Sequence, residues 1–124
     1  MTTLEVVAVL ITGDSAAAHS FGGFEFRSLA VPSRGSSEIA LWTVDVPEGG
    51  DGTPHRASRE EVFYVLSGSV TIQGQTASAG DAIVVPADTE LALTGGPARV
   101  LVATSVGIQG TLADGQTITP PWSL

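Results

Sequence analysis

The chain has 124 residues and no cysteine, and its thirteen carboxylates face five arginines and no lysine, for a formal charge of −8. That length suits one domain with one core, and the lack of cysteine removes disulfides, thiolate zinc sites and cysteine nucleophiles and fits a reducing, cytoplasmic setting. The acidic balance disfavours nucleic acid and anionic membrane as partners, no apolar run nears the ~18 residues of a membrane span, and the opening MTTLEVVAVL lacks the basic start and long apolar core of a secretory signal.

Short runs rich in Val, Ile, Leu, Phe and Thr alternate with Gly, Pro, Ser and Asp, and no stretch holds a long 3.6-residue apolar period. This patterning predicts an all-β domain, a sandwich or barrel. Residues 4–12 read as a first strand. Residues 13–23 read as a loop or one helical turn around Ala16 to Ala18, carrying His19. Residues 24–31 form a second strand, stopped by Pro32. Residues 38–46 form a third, with Ala40, Trp42, Val44 and Val46 on one face. A loop over 47–54 delivers His55. A strand over 61–66 turns at Ser67-Gly68 into a strand over 69–73, and a hairpin near Gln73-Gly74 returns the chain through 75–77. Beyond the turn at 79–81 comes an apolar strand, 82–85, ended by Pro86. A strand over 90–94 is separated by Gly95-Gly96-Pro97 from the last long strand, 98–106. The tail, 107–124, carries a short hairpin around Asp114-Gly115 and ends in Pro120-Pro121-Trp122. The positive mean hydropathy implies more apolar surface than one small barrel hides, and a homodimer is the natural outlet.

The densest chemistry lies between Gly49 and Gly68. On an extended chain alternate residues share a face, so His55, Ala57, Glu61, Phe63 and Val65 are expected on one side. The spacing Gly49, His55, Glu61, Gly68 resembles the first motif of the cupins: glycine, five residues, His, one residue, His, three or four residues, Glu, six residues, glycine. Ala57 stands where the second His is usual. Gly80 and Pro86 match the second cupin motif, with Asp88, Leu91 and Gly95 where Gly, His and Asn are usual. The resemblance covers about residues 36–105, and many small cupins end in a similar Pro-Pro-Trp segment. It implies a single-domain jelly-roll barrel, with 36–105 as the core barrel, strands over 4–31 before it and the tail after it.

A catalytic divalent site needs about three protein ligands and an open position. His55 and Glu61 are two of the four that the resemblance implies, and Ala57 and Leu91 have no donor atom. The reading is therefore a metal-independent site, with a divalent metal at His55 and Glu61 as the alternative. Burial would bring a facing His and Glu nearer neutral pH, where a positioned pair contributes about 10²–10⁴-fold to an isomerisation, cyclisation or dehydration. Ala57 and Leu91 then leave a dry space for an apolar or aromatic ligand, with Phe63 on the same face. Trp42 lines that space or is ordinary core. Arg56 and Arg59 recognise an anion or balance nearby acids, Tyr64 packs outside the barrel or at a dimer contact, and Trp122 covers the barrel mouth or packs on a partner chain. There is no GxxxxGK loop, GxGxxG turn or GxSxG elbow. Three readings stand: an acid–base isomerase, cyclase or lyase acting on a small, largely apolar molecule; a non-catalytic ligand-binding or sensing module; and a metal-dependent dioxygenase with an incomplete ligand set.

Overall fold

Branched and aromatic side chains pack well on a pleated surface, and the runs that carry them fold as strands. The computed structural model of the protein describes residues 7–124. In chain order the strands are β1 (Ala18–Phe21), β2 (Phe24–Ala30), β3 (Ile39–Val46), β4 (Gly50–Asp51), β5 (His55–Ala57) and β6 (Glu61–Ile72). There follow β7 (Gln75–Ser78), β8 (Ala82–Val85), β9 (Glu90–Leu91), β10 (Thr94–Ser105), β11 (Gly110–Leu112) and β12 (Thr117–Ile118). Among the described residues the helical segments are three single 3-10 turns, Gly13–Ser15, Pro32–Arg34 and Pro121–Ser123, and no helix is long and apolar enough to cross a membrane.

The strands form two antiparallel sheets. The larger runs β1-β2-β3-β10-β6-β7, with β4 on β10 and β8 on β6; the smaller runs β12-β11-β5-β9. The core lies between them. Ala40, Trp42, Val44 and Val46 of β3 are buried, as are Phe63, Val65, Val70 and Ile72 of β6 and Val100 and Val102 of β10. The sets on β3 and β10 alternate along their strands, because the pleat turns every second side chain inward, and the β6 set alternates on each side of Gly68 but changes parity across it. Burying a side chain of this size is worth about 1.5–3 kcal/mol, so the inner face fixes strand register: a one-residue slip would expose all of it.

Four expectations are corrected. Residues 4–6 of the expected first strand lie outside the described residues, and residues 7–12 form no strand. Val7, Val9 and Leu10 are exposed, with no described strand beside them to complete a backbone ladder. Residues 18–21, expected in a loop, form β1. Gly22 and Gly23 sit at φ 59 and 83, which lets a two-residue turn join β1 to β2, and His19 stands opposite Phe26 in that hairpin. Ser67-Gly68 is no turn but lies inside β6, where the register against β10 shifts. A Cβ at Gly68 would stand 1.9 Å from the Pro97 carbonyl oxygen, so the position admits only glycine, as in a bulge that bends a long strand. Gly95-Gly96-Pro97 likewise lies within β10 rather than between two strands.

The hairpins expected at Gln73-Gly74 and Asp114-Gly115 are present, joining β6 to β7 and β11 to β12. The second has a tertiary role. β11 pairs with β5, placing Gly110 opposite Ala57 and Leu112 opposite His55. The tail thus supplies two of the four strands of the smaller sheet, and the barrel wall reaches past residue 105.

Candidate active site

Between the two sheets lies a cavity of about 100 Å³. β5 and β6 turn His55, Ala57, Glu61 and Phe63 toward it, as their parity predicts, and β3 adds Trp42. The wall is otherwise mostly aromatic and aliphatic, with Thr53 and Gln109 as polar members. Phe24 and Phe26 come from β2, and Trp122 from the C-terminal turn. The exposed lining residues Phe21, Gly22 and Thr53 mark the open side.

Trp122 belongs to the wall of its own chain. Its ring stacks on Phe26, with centroids 3.7 Å apart and planes within 6°, and lies 6.2 Å from the Phe21 ring. The segment is pinned to the larger sheet. The Ser28 hydroxyl donates to the Trp122 carbonyl at 2.7 Å, and the Ser33 N–H donates to the Leu124 carbonyl at 2.8 Å.

Glu61 begins β6 and is 6% exposed. Val85 stands opposite it on β8. Among the described residues its Oε1 is buried without a hydrogen-bond partner, and no basic side chain other than His55 lines the cavity. Loss of hydration disfavours the charged form, and burial pushes this carboxyl up from 4.5 to about 7. His55 is half-buried at the end of β5. Its Nδ1 lies 2.9 Å from the Thr53 carbonyl oxygen. A carbonyl only accepts, so Nδ1 carries the hydrogen of this bond, and Nε2 of the neutral ring is left to accept a proton.

Leu91, expected on the cavity wall, is not on it. It is buried opposite His55, but β9 is the outermost strand of the smaller sheet and the chain leaves it after Leu91. Leu93 takes the wall position instead, held where the Gly52 N–H donates to its carbonyl at 2.9 Å. Asp88, where a cupin glycine is usual, adopts φ 58, a left-handed conformation that Asp tolerates better than most residues. Arg56 is exposed and donates to the Asp88 carbonyl at 2.8 Å, outside the main cavity. Arg59 is exposed, Tyr64 stands on the outer face of the larger sheet, and His19 is half-buried in β1. None of these three lines the cavity.

Sequence reasoning missed Phe21, Phe24, Phe26 and Leu93 as a set. Phe24 and Phe26 share parity on a strand that the sequence does predict, and Phe-Gly-Gly-Phe signals the hairpin that brings Phe21 in. The Pro-Pro-Trp ending singles out Trp122, but no local signal chooses between the barrel mouth and a partner chain, because its anchor Ser28 lies 94 residues away.

The donor set does not fit a tightly held metal. Among the described residues no group of three His, Cys, Asp or Glu is gathered in one place. Ala57 and Leu91 occupy the positions where imidazoles are usual, and His55 and Glu61 alone fall short of the three protein ligands of a catalytic site.

A family model of the cupin domain matches residues 42–104. The chain belongs to the cupin family. This cupin is similar in fold to RemF, a polyketide cyclase from Streptomyces resistomycificus, at 24% identity and a TM-score of 0.70 over 80% of each chain. It is similar to KdgF from Halomonas sp. at 20% identity and a TM-score of 0.67, over 80% of this chain and 94% of the other. It also resembles Pac13, a nucleoside dehydratase, at 14% identity and a TM-score of 0.69, over 91% of this chain and all of the other; Pac13 from Streptomyces has been seen with uridine. At these identities the likeness carries the fold: a single-domain cupin barrel. No curated protein matches the sequence.

Proposed function

We propose that this cupin takes a small, largely apolar or aromatic molecule into its barrel and moves a proton on it with Glu61 and His55, as an isomerase, cyclase or lyase, without a protein-held metal. One observation carries the reading: Glu61 is a buried carboxyl whose Oε1 has no partner, in the wall of a largely apolar cavity. An unpaired buried polar atom costs about 1–3 kcal/mol. Held at about 7, the group is divided between acid and base at neutral pH, where proton transfer in both directions is efficient. The ionised carboxyl accepts a proton from the ligand, and Nε2 of His55, on the open side, exchanges protons with ligand or solvent. The fold neighbours named as a cyclase and a dehydratase support this reaction class.

The same reading takes the protein as a cytoplasmic homodimer. Ile39, Tyr64, Leu66 and Val84 stay exposed on the outer face of the larger sheet, an apolar surface that a second copy would cover, and the chain has no cysteine to oxidise.

The test is a thermal-shift screen for small ring compounds, followed by turnover assays on those that bind. Glu61-dependent turnover supports the proposal. Binding without turnover leaves the ligand-sensing module in its place. Protein purified without chelator should carry well below one equivalent of iron, manganese, nickel, copper or zinc; a near-equimolar ion held through dialysis would overturn the metal-free reading.

A further inference from the structure

The wall of the cavity bears on the charge of its occupant, an inference that rests on the barrel being a ligand site. Among the described residues six aromatic side chains line it, from Phe21, Phe24, Phe26, Trp42, Phe63 and Trp122, beside one carboxyl, that of Glu61. None of the five arginines lines it. Val85 stands opposite Glu61 on β8. Val102 of β10, which stands opposite Phe63, and His55 of β5 line the same cavity, and among the described residues His55 is the other titratable side chain in the wall. An anion entering here would meet a carboxylate and no arginine to pair it. A neutral hydrocarbon would leave Oε1 of Glu61 unpaired, as it already is.

We infer that the cavity selects a compact organic cation, a protonated or quaternary amine on a small hydrocarbon or a single ring, with its charge against Glu61 and its body against the aromatic faces. Rings within about 6 Å of a cation attract it through their quadrupoles, more strongly once water is excluded. A charge-assisted hydrogen bond to the carboxylate is roughly twice as strong as a neutral one. The volume of about 100 Å³ suits one ring rather than a fused system, whose remainder would project past Phe21 and Thr53. The cation needs Glu61 ionised. Below about pH 7 the carboxyl holds its proton, so binding there expels that proton and affinity rises with pH until Glu61 is fully charged.

Calorimetric titration at pH 8 with benzylamine, benzyl alcohol and benzoate, which differ chiefly in charge, tests this. Benzylamine should bind at least tenfold more tightly than benzyl alcohol, and benzoate should not bind. At pH 6, titrations in buffers of different ionisation heat should reveal proton release with benzylamine alone. Glu61→Gln should reduce benzylamine to about the affinity of benzyl alcohol for the same variant. Should that variant not fold, His55→Gln decides, since the rise in benzylamine affinity from pH 6 to 8 must persist without the imidazole. Equal or tighter binding of benzyl alcohol or benzoate, a cation preference that survives Glu61→Gln, or binding of none of the three overturns the inference. Cation selectivity without turnover of any amine overturns the acid–base reading alone, whereas Glu61-dependent turnover of a neutral ligand with no cation preference overturns this inference alone.

Discussion

Carboxylates occur on both faces of the larger sheet, in opposite circumstances. On the outer face Glu25 and Asp45 flank Arg27, and Arg99 donates to both oxygens of Asp45, at 2.8 and 3.3 Å. The Asp45 hydrogen bond, then its charge, raises Arg99 above its ordinary value. These groups are partly open to solvent, where pairs are worth about 0.2–1 kcal/mol and are screened by salt. On the inner face Glu61 has no cation and no donor for Oε1. The paired carboxylates cost little to hold and little to lose. The unpaired one is costly to hold, and a ligand that pairs it recovers that cost.

Replacements that separate the two faces test this contrast. The largest effect is expected at the inner wall. Trp122→Ala should destabilise by about 3–5 kcal/mol, the range for removing a large buried aromatic side chain. The exposed Tyr64→Ala, measured on the same oligomeric state, should cost far less. Denaturant titration of both gives the comparison, and equal losses would mean that Trp122 is not part of the core.

Next comes the pH dependence of stability. The folded protein holds the Glu61 proton up to about pH 7, whereas the unfolded carboxyl releases it near 4.5. The stability contributed by the neutral acid is therefore complete below about pH 4.5 and is lost as pH rises through about 7. At about 1.4 kcal/mol per unit, about 3 kcal/mol should disappear between pH 4.5 and 8 in the ligand-free protein. Glu61→Gln should flatten that part of the profile. An unchanged slope in the variant would assign the titration to another group.

Turnover follows in size. Once a substrate is found, Glu61→Gln should lower kcat by about 10²-fold or more, as should His55→Ala, because a positioned proton-transfer group contributes that much. Asp45→Asn, on the outer face, should leave kcat within about twofold of native, since a surface substitution far from the reacting atoms disturbs little. Native turnover in both inner variants would make the pair structural.

The smallest effect belongs to the outer pairs. Asp45→Ala should cost under about 1 kcal/mol, and less at high salt. A loss of several kcal/mol would mean that the fold depends on the outer network as much as on the inner wall.

Residues 55, 57, 61 and 63 are legible as one face because alternation is a local property of an extended chain. The same holds for Trp42 on its strand and for the hairpin at Gln73-Gly74, where a left-handed pair of residues is demanded by the turn itself. Positions carried over from the two motifs place His55 opposite Leu91, although the motif does not say which leucine reaches the cavity. Pairing far along the chain decided the rest. β11 closes the smaller sheet beside β5, Gly52 holds Leu93 on the wall, and Ser28 fixes Trp122 over the rings of β1 and β2. The orphan state of Glu61 is of the same kind. A sequence reveals that a carboxyl lies on an inward face, but whether a donor meets it depends on what other strands present, here Val85 opposite it, with Val102 and, at the open side, His55 in the same cavity wall. Side-chain period is set by bonds between neighbours, whereas the partners of a buried charge are set by which distant segments close around it.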